Sequence, residues 1–247
     1  MNLLIAILLS IIQGITEWLP VSSSGHLAII QNIFGVKDAL PFDVLLHFAS
    51  LLVIIIYFRK EILALIKNFD TKTIFYLFIA TIPIVIVGVL FYDFILVLFK
   101  DVFLIGIAFI LMGIFLILTK RIKEKRKINA KDALLIGIAQ AFSLVPGISR
   151  SGSTIGTALF LKIKKQQAIT FSFLLAIPAL LGAAIYEARN ITITPIAILS
   201  FLICFVVGYL SLHLLIKIIR KGKFYYFGYY CLALGIFVLV MLATHII

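Results

Sequence analysis

Long apolar runs dominate the hydrophobic pattern of this chain. Six of them reach or approach the roughly 20 residues that an α-helix needs to cross about 30 Å of hydrocarbon. They do not alternate between apolar and polar positions, as the strands of a membrane β-barrel would. The pattern therefore predicts six transmembrane helices, in residues 42–58, 74–92, 102–119, 168–187, 195–216 and 224–246.

Two further apolar stretches are interrupted by polar segments. Residues 2–34 are broken at 13–26, and residues 132–161 are broken at 145–154. Each stretch has about 30 residues, which is long for one span and short for two spans and a turn. Each is predicted to form a re-entrant helical hairpin, which enters the membrane and returns to the side from which it came.

The composition supports a membrane protein. Of the 247 residues, 64% are hydrophobic and 13% are charged, and the mean hydropathy is +1.24. An ordinary globular domain is about 45–50% apolar and about 25% charged. A soluble enzyme, a secreted disulfide scaffold and a disordered chain are therefore excluded. We expect an all-α polytopic membrane protein with a single integral-membrane domain, residues 1–247.

The basic residues predict the orientation of the chain. The net charge is +12, and 18 of the 22 Lys and Arg residues fall in segments 59–72, 120–131, 162–165 and 217–223. All four clusters share one side only if the second hairpin returns, which places Lys37, Lys100 and Arg189 opposite. Basic residues accumulate in cytoplasmic loops. We therefore expect the clusters to be cytoplasmic, both termini to be external, and nucleic acid not to be a partner.

The two hairpins have matching sequences. A shift of 127 residues places Gln13 on Gln140, Ser22 on Ser149 and Gly25 on Gly152. Three spans follow each hairpin, and because three is odd, the second copy enters the membrane from the opposite side. This arrangement predicts an inverted-topology repeat, as in many transporters. Repeat one covers about residues 1–119 and repeat two about 132–247, each a re-entrant hairpin plus three transmembrane helices.

The two breaks indicate an anion site near the membrane centre. Non-helical backbone survives at membrane depth only where protein or water satisfies it. The helix after each break, starting near residues 23–26 or 151–154, would direct free N–H groups and a positive partial charge towards the midplane. Helix capping is the alternative role for the serines. The candidate phosphate-binding residues are Ser22, Ser24, Gly25, Ser149, Ser151, Thr154 and His47.

Four residues are candidates for catalysis. Arg150 is costly in a membrane, yet its planar fork suits phosphate. Glu17 is the acid placed deepest on the first hairpin, as a metal ligand, as a general base or as a salt-bridge partner of Arg150. Ser23 and His26 lie at the polar break itself, and Gln13 is a possible second metal ligand. His47 shares one helical stripe with Asp43 and Ser50.

These segments resemble a known family. Residues 13–26, with Gln13, Glu17 and the run Leu-Pro-Val-Ser-Ser-Ser-Gly-His, resemble the first signature of the undecaprenyl-diphosphatases. Residues 146–154, Pro-Gly-Ile-Ser-Arg-Ser-Gly-Ser-Thr, resemble the second signature, and residues 42–50 are similar to a third stretch. Gln13 stands where many members have Glu, and Ala49 stands where Gly is expected. The resemblance spans the whole chain.

The resemblance implies a lipid phosphatase. Such a protein would hydrolyse the C55 polyprenyl diphosphate to the monophosphate and inorganic phosphate. This reaction recycles the carrier lipid of cell-wall synthesis and can confer bacitracin resistance. The resemblance also implies two hairpins with six spans in the cell (inner or plasma) membrane and a site open to the external face.

The charge balance of the site predicts a divalent cation. The diphosphate carries roughly two to three negative charges, whereas Arg150 is the one certain cation and Glu17 adds a negative charge. Mg²⁺ or Ca²⁺ held by Glu17 would balance this excess, as the resemblance also implies. The nucleophile stays open between three candidates: Ser23 with His26 as base or as acid for the leaving group, His26 itself, and a water activated by Glu17.

Transport is the alternative function, because inverted repeats with broken helices are also a transporter design. The chain would then be a flippase of a phosphorylated polyprenyl lipid. In either case the expected partners are the bilayer and a polyprenyl diphosphate lipid. A homodimer is a possible assembly.

Overall fold

The computed structural model describes residues 2–36, 39–122, 125–187 and 193–244. These residues form twelve α-helices and no strand beyond one isolated bridge between Arg126 and Ile163. Lys37 and Arg189, which we expect on the external side, lie outside the described residues. The helices are α1 Leu3–Thr16, α2 Ser23–Ile33, α3 Leu40–Tyr57, α4 Arg59–Lys67, α5 Thr71–Leu90, α6 Tyr92–Leu98, α7 Val102–Leu118, α8 Ala130–Phe142, α9 Arg150–Phe160, α10 Lys165–Glu187, α11 Pro195–Arg220 and α12 Tyr226–Ala243.

Four helices in the described part, α3, α5, α11 and α12, are long and apolar enough to cross a membrane. They coincide with four of the six predicted spans, and the chain is a multi-pass membrane protein. The predicted span at residues 102–119 falls on α7, whose 17 residues are at the lower end of the length that a span needs. The short helix α6 precedes it at a bend of 91°, and the crossing of the membrane by α7 stays a prediction. The bend follows from Asp101, whose side chain caps a new helix by accepting from the backbone N–H of Leu104 at 3.0 Å.

The predicted span at residues 168–187 falls on α10. This helix has 23 residues, more than the roughly 20 that a span requires. Part of its C-terminal turn has side chains outside the described set, so its crossing of the membrane stays a prediction.

The two hairpins form as pairs of short helices. The first consists of α1 and α2, joined by residues 17–22, and the second of α8 and α9, joined by residues 143–149. The longest of the four, α1, has 14 residues, which is about 21 Å of helix. Each helix is therefore too short to cross the hydrocarbon alone, as a re-entrant hairpin requires.

The two halves of the chain interlock through their hairpins. The first hairpin helix, α1, packs against α11 of the second half, and α8 packs against α5 of the first half. The pairs α3 with α10 and α7 with α12 also join the halves. If each helix is replaced by its counterpart in the other half (α1 by α8, α3 by α10, α5 by α11 and α7 by α12), the same helix pairs result, as expected for a repeat. The opposite orientation of the halves in the membrane stays a prediction.

The hairpin tips rest on the buried core and on α7. Trp18 and Phe173 are almost fully buried, and their rings meet edge to face with centroids 6.0 Å apart. Gly147 has φ +99, and a Cβ atom there would lie 2.6 Å from the Ala108 Cβ of α7. A Cβ at Gly25 would lie 2.7 Å from the Phe109 ring of the same helix. Glycine at these two positions lets both tips approach α7 and each other.

Candidate functional site

The N-termini of α2 and α9 meet at the centre of the structure. The Ser22 hydroxyl accepts from its own helix, at the Gly25 N–H (3.3 Å), and from the opposite tip, at the Gly147 N–H (3.1 Å). In return, the Ser151 hydroxyl donates to the Trp18 carbonyl oxygen at 2.9 Å. Each tip therefore uses a serine to satisfy the backbone of the other. The helix starts lie at Ser23 and at Arg150, close to the predicted positions.

A buried ion pair joins the two tips. Arg150 Nη2 donates to Glu17 Oε1 at 2.5 Å, and the side chains are 13% and 5% exposed. The pair was one of the alternatives left open by the sequence. Arg150 Nη1 is also buried and finds no partner among the described residues. One side of the guanidinium therefore neutralises Glu17, while the other keeps a donor for an anion.

Glu17 also collects three polar neighbours. Its Oε2 atom accepts from the Ser23 hydroxyl at 2.6 Å and from Gln13 Nε2 at 3.1 Å. His47 Nε2 lies 3.6 Å from the same oxygen. Since the carboxylate can only accept, the Ser23 hydroxyl proton points at Glu17. A contact of this kind is the geometry in which a base can activate a hydroxyl group.

His47 reaches the site from α3, as the sequence predicts. Its Nδ1 atom lies 2.7 Å from the Asp43 carbonyl oxygen. A carbonyl oxygen only accepts, so Nδ1 carries a hydrogen, and Nε2 can donate towards Glu17 only in the imidazolium form. The Asp43 carboxylate accepts instead from Gln31 Nε2 at 2.7 Å. Asp43 therefore orients His47 through its backbone, while its side chain binds elsewhere.

His26 does not pair with Ser23. Its Nδ1 atom lies 2.7 Å from the Ser22 carbonyl oxygen, and its Nε2 atom lies 2.7 Å from the Tyr230 hydroxyl on α12. Among the described contacts, the Ser23 hydroxyl is therefore paired with Glu17 and not with His26. Sequence reasoning missed Tyr230, because an aromatic run at residues 224–230 is also typical of a membrane interface.

The remaining candidates hold the helix starts. The Ser24 hydroxyl lies 3.2 Å from that of Ser22, and Ser149 caps α9 by accepting from the Gly152 N–H at 3.1 Å. The Thr154 hydroxyl donates to the carbonyl oxygen of Arg150 at 2.9 Å, within α9. These contacts correspond to the capping alternative. A direct role of these side chains in phosphate binding stays a prediction.

The donors near Glu17 fit a cation only if the substrate completes its coordination. Among the described residues, no group of three or more His, Cys, Asp and Glu could hold a metal ion. Gln13 Oε1, next to Glu17, is buried without a hydrogen-bond partner in the described part. Mg²⁺ is commonly held by one or two carboxylates together with substrate phosphates. Glu17 and Gln13 match the protein's share of such a site.

The ion pair predicts strong coupling between its two charges. Glu17→Gln or Arg150→Gln alone strands one buried charge, whereas the double variant removes both. We expect the sum of the two single-variant losses in the free energy of unfolding to exceed the loss in the double variant by roughly 1–3 kcal/mol. Thermal unfolding of the purified protein in detergent measures this difference.

The pair Arg126–Asp132 provides a less buried control, because the Arg126 side chain is 42% exposed while that of Asp132 is 4% exposed. Solvent at the exposed partner screens an ion pair, and fully exposed pairs couple by only about 0.2–1 kcal/mol. Coupling in the Glu17–Arg150 cycle no larger than in the Arg126→Gln and Asp132→Asn cycle would contradict the structural role of the buried pair.

Known proteins are similar in sequence to this chain over almost its whole length. The family described as "Bacitracin resistance protein BacA" matches residues 6–237. A protein named undecaprenyl-diphosphatase from Methanococcus vannielii is 43% identical over 94% of this chain and 98% of its own. Proteins of the same name are 40% identical in Carboxydothermus hydrogenoformans, over 99% of both chains, and 35% identical in Korarchaeum cryptofilum, over 96% of this chain and 98% of its own. The chain therefore belongs to the BacA family of membrane proteins.

Proposed function

We propose that this protein is a membrane phosphatase that converts undecaprenyl diphosphate, or a related polyprenyl diphosphate, to the monophosphate and inorganic phosphate. The name shared by its relatives supports this activity. The observation that carries the proposal is the cluster of Ser23, Glu17 and Arg150 at two converging helix N-termini. It combines a nucleophile, a base and a phosphate-binding cation inside an apolar helical protein.

The reaction would recycle a carrier lipid of cell-envelope synthesis. The proposed location is the plasma membrane, which is the inner membrane in cells that have two. The basic loops would face the cytoplasm, because their charge favours that side, and the site would open to the external face. The polyprenyl chain would remain in the bilayer while its diphosphate enters between the two tips.

The helix starts would bind the diphosphate. Backbone N–H groups at the start of a helix carry a positive partial charge that favours anions. Arg150 Nη1, buried and without a partner among the described residues, would donate to a phosphate oxygen. The substrate would displace part of the hydroxyl contacts at the two tips. These hydroxyls belong to Ser22, Ser24, Ser149, Ser151 and Thr154.

The contact of Ser23 with Glu17 favours Ser23 as the nucleophile. Its oxygen would attack the terminal phosphorus while its proton passes to Glu17 Oε2, at 2.6 Å. The bond from phosphorus to the bridging oxygen breaks, and its electron pair leaves with the polyprenyl monophosphate. Water then releases inorganic phosphate and regenerates Ser23. His26 is the second group that could exchange a proton with these species, and Arg150 would stabilise the charge on the transferring phosphoryl group.

A divalent cation completes the proposal. Glu17 and Gln13 Oε1 would hold Mg²⁺ or Ca²⁺ together with oxygens of the bound lipid. Bound in this way, the ion neutralises phosphate charge and polarises the phosphorus–oxygen bonds. The charge of Arg150 is already shared with Glu17, so the diphosphate needs this further positive charge.

Replacing the guanidinium tests the role of Arg150. Arg150→Lys keeps the charge but loses the planar fork, which must reach Glu17 and the phosphate at once. We expect kcat to fall by about 10²–10³, as for the loss of a preorganised donor. Phosphate release from C55 diphosphate by purified protein in detergent measures this loss.

Transport has no meaning in detergent, so this assay also separates the two functions. Activity of Arg150→Lys within about threefold of the wild type would contradict its role, since the expected loss is far larger. A wild type that releases no phosphate, yet moves the lipid across liposome membranes, would favour the flippase alternative.

Chelation tests the cation. We expect EDTA to reduce phosphate release by at least about tenfold, because the bound ion neutralises charge in the transition state. Added Mg²⁺ or Ca²⁺ in excess of EDTA should restore the rate. Full activity after dialysis against EDTA would contradict the proposed cation.

A further inference from the structure

His26 is held on several sides by groups outside its own turn. Its ring meets Phe109 of α7 edge to face, at a centroid distance of 5.2 Å and an angle of 87°. On α12, the Tyr230 ring lies nearly parallel to it, at 6° and 5.8 Å between centroids. Both ring nitrogens are engaged, Nδ1 by the Ser22 carbonyl oxygen and Nε2 by the Tyr230 hydroxyl, each at 2.7 Å.

The Ser22 carbonyl oxygen determines which nitrogen of the neutral His26 ring carries the proton. The Ser22 carbonyl oxygen can only accept, so Nδ1 of His26 must donate to it. In the neutral ring Nε2 is then an acceptor, and the Tyr230 hydroxyl is the donor that faces it. A histidine tautomer is set by the hydrogen bond that the other nitrogen makes. Ser22 therefore selects the Nδ1–H tautomer, and the Tyr230 hydroxyl, which can donate or accept, completes it by donating to Nε2.

The position of Tyr230 argues against a packing role. Its side chain is half exposed, at 47%, so it fills little of the core. Substitution at such a position usually costs little stability. Its hydroxyl nevertheless ends at a ring one turn into α2, the helix that begins at Ser23.

We propose that Tyr230 is a positioning residue for His26: its hydroxyl donates to Nε2 and fixes the direction of the imidazole, in the tautomer that the Ser22 carbonyl oxygen selects. Because the Ser22 carbonyl oxygen holds Nδ1, protons that His26 exchanges with the phosphate site would pass at Nε2, with the Tyr230 hydroxyl turning from donor to acceptor as Nε2 gains a proton. This inference rests on the proposed phosphatase function. It adds a residue of the last helix, far from both sequence signatures, to the set that controls the reaction.

Tyr230→Phe removes the hydroxyl and keeps the ring. We expect kcat for phosphate release to fall by about 10–100-fold, the usual effect of losing an orienting hydrogen bond to a functional side chain. KM should stay within about twofold, because Tyr230 is not placed on the phosphate. Tyr229→Phe, on the same helix and equally exposed at 47%, is the matched control and should retain the wild-type kcat.

The ¹⁵N spectrum of histidine-labelled protein gives a readout that packing alone would not change. With His26→Gln used for assignment, the wild type should show a protonated Nδ1 and an unprotonated Nε2 at neutral pH. The Nε2 signal should shift in Tyr230→Phe and remain in place in Tyr229→Phe. Gel filtration and thermal unfolding confirm that each variant is folded.

The outcomes are distinct. An Nε2–H tautomer of neutral His26 in the wild type would overturn the inference without any need of a variant. Tyr230→Phe with wild-type kcat, or with lower kcat but an unchanged His26 spectrum, would overturn it as well. Failure of the proposed function would appear elsewhere, as the absence of phosphate release from the wild type.

Discussion

Inside a membrane neither an arginine nor a glutamate is tolerated alone, and the pairing of Glu17 with Arg150 satisfies both. The two residues are 133 positions apart in sequence and belong to different hairpins. Their contact at 2.5 Å therefore requires that both tips reach the same depth. The packing of α1 on α11 and of α8 on α5 brings the tips to that point.

The same pair sets the chemistry of the site. Because Arg150 neutralises Glu17 on Oε1, the other carboxylate oxygen can accept from Ser23 without leaving a bare negative charge beside the phosphate. Arg150 still has one nitrogen without a partner in the described part of the chain. The serines then have two uses. In the present structure they satisfy backbone groups of the opposite tip, and with substrate bound they would have phosphate oxygens as partners.

Much of this organisation is present in the sequence, because it depends on patterns within one segment. Apolar runs predict the spans, and the broken runs around Ser23 and Arg150 predict the hairpins. The charge of Arg150 in an apolar stretch marks it as a candidate functional residue without any structure. The local spacing of Glu17 and Ser23 also places both at the same tip.

Contacts between distant segments were less predictable. His26 follows three serines, so pairing with Ser23 looks natural, but the α-helical geometry turns its ring towards α12 and Tyr230. Nothing in the sequence distinguishes Tyr230 from Tyr229, since only the rotation of α12 against α7 decides which one faces His26. The bend before α7 was hidden as well, because a single capping aspartate in an apolar run also fits the end of a straight span.

The proposed reaction depends on three roles: Ser23 as nucleophile, Glu17 as base and Arg150 as phosphate ligand. The most direct measurement is phosphate release from undecaprenyl diphosphate by purified Ser23→Ala, next to Ser10→Ala. Ser10 is a suitable control, because it is a fully buried serine of α1 whose hydroxyl, within the described part of the chain, donates to the Ala6 carbonyl oxygen of its own helix. Loss of the nucleophile should lower the rate by roughly 10³-fold or more, while Ser10→Ala stays near the wild type. If folded Ser23→Ala protein releases phosphate at close to the wild-type rate, Ser23 is not the nucleophile.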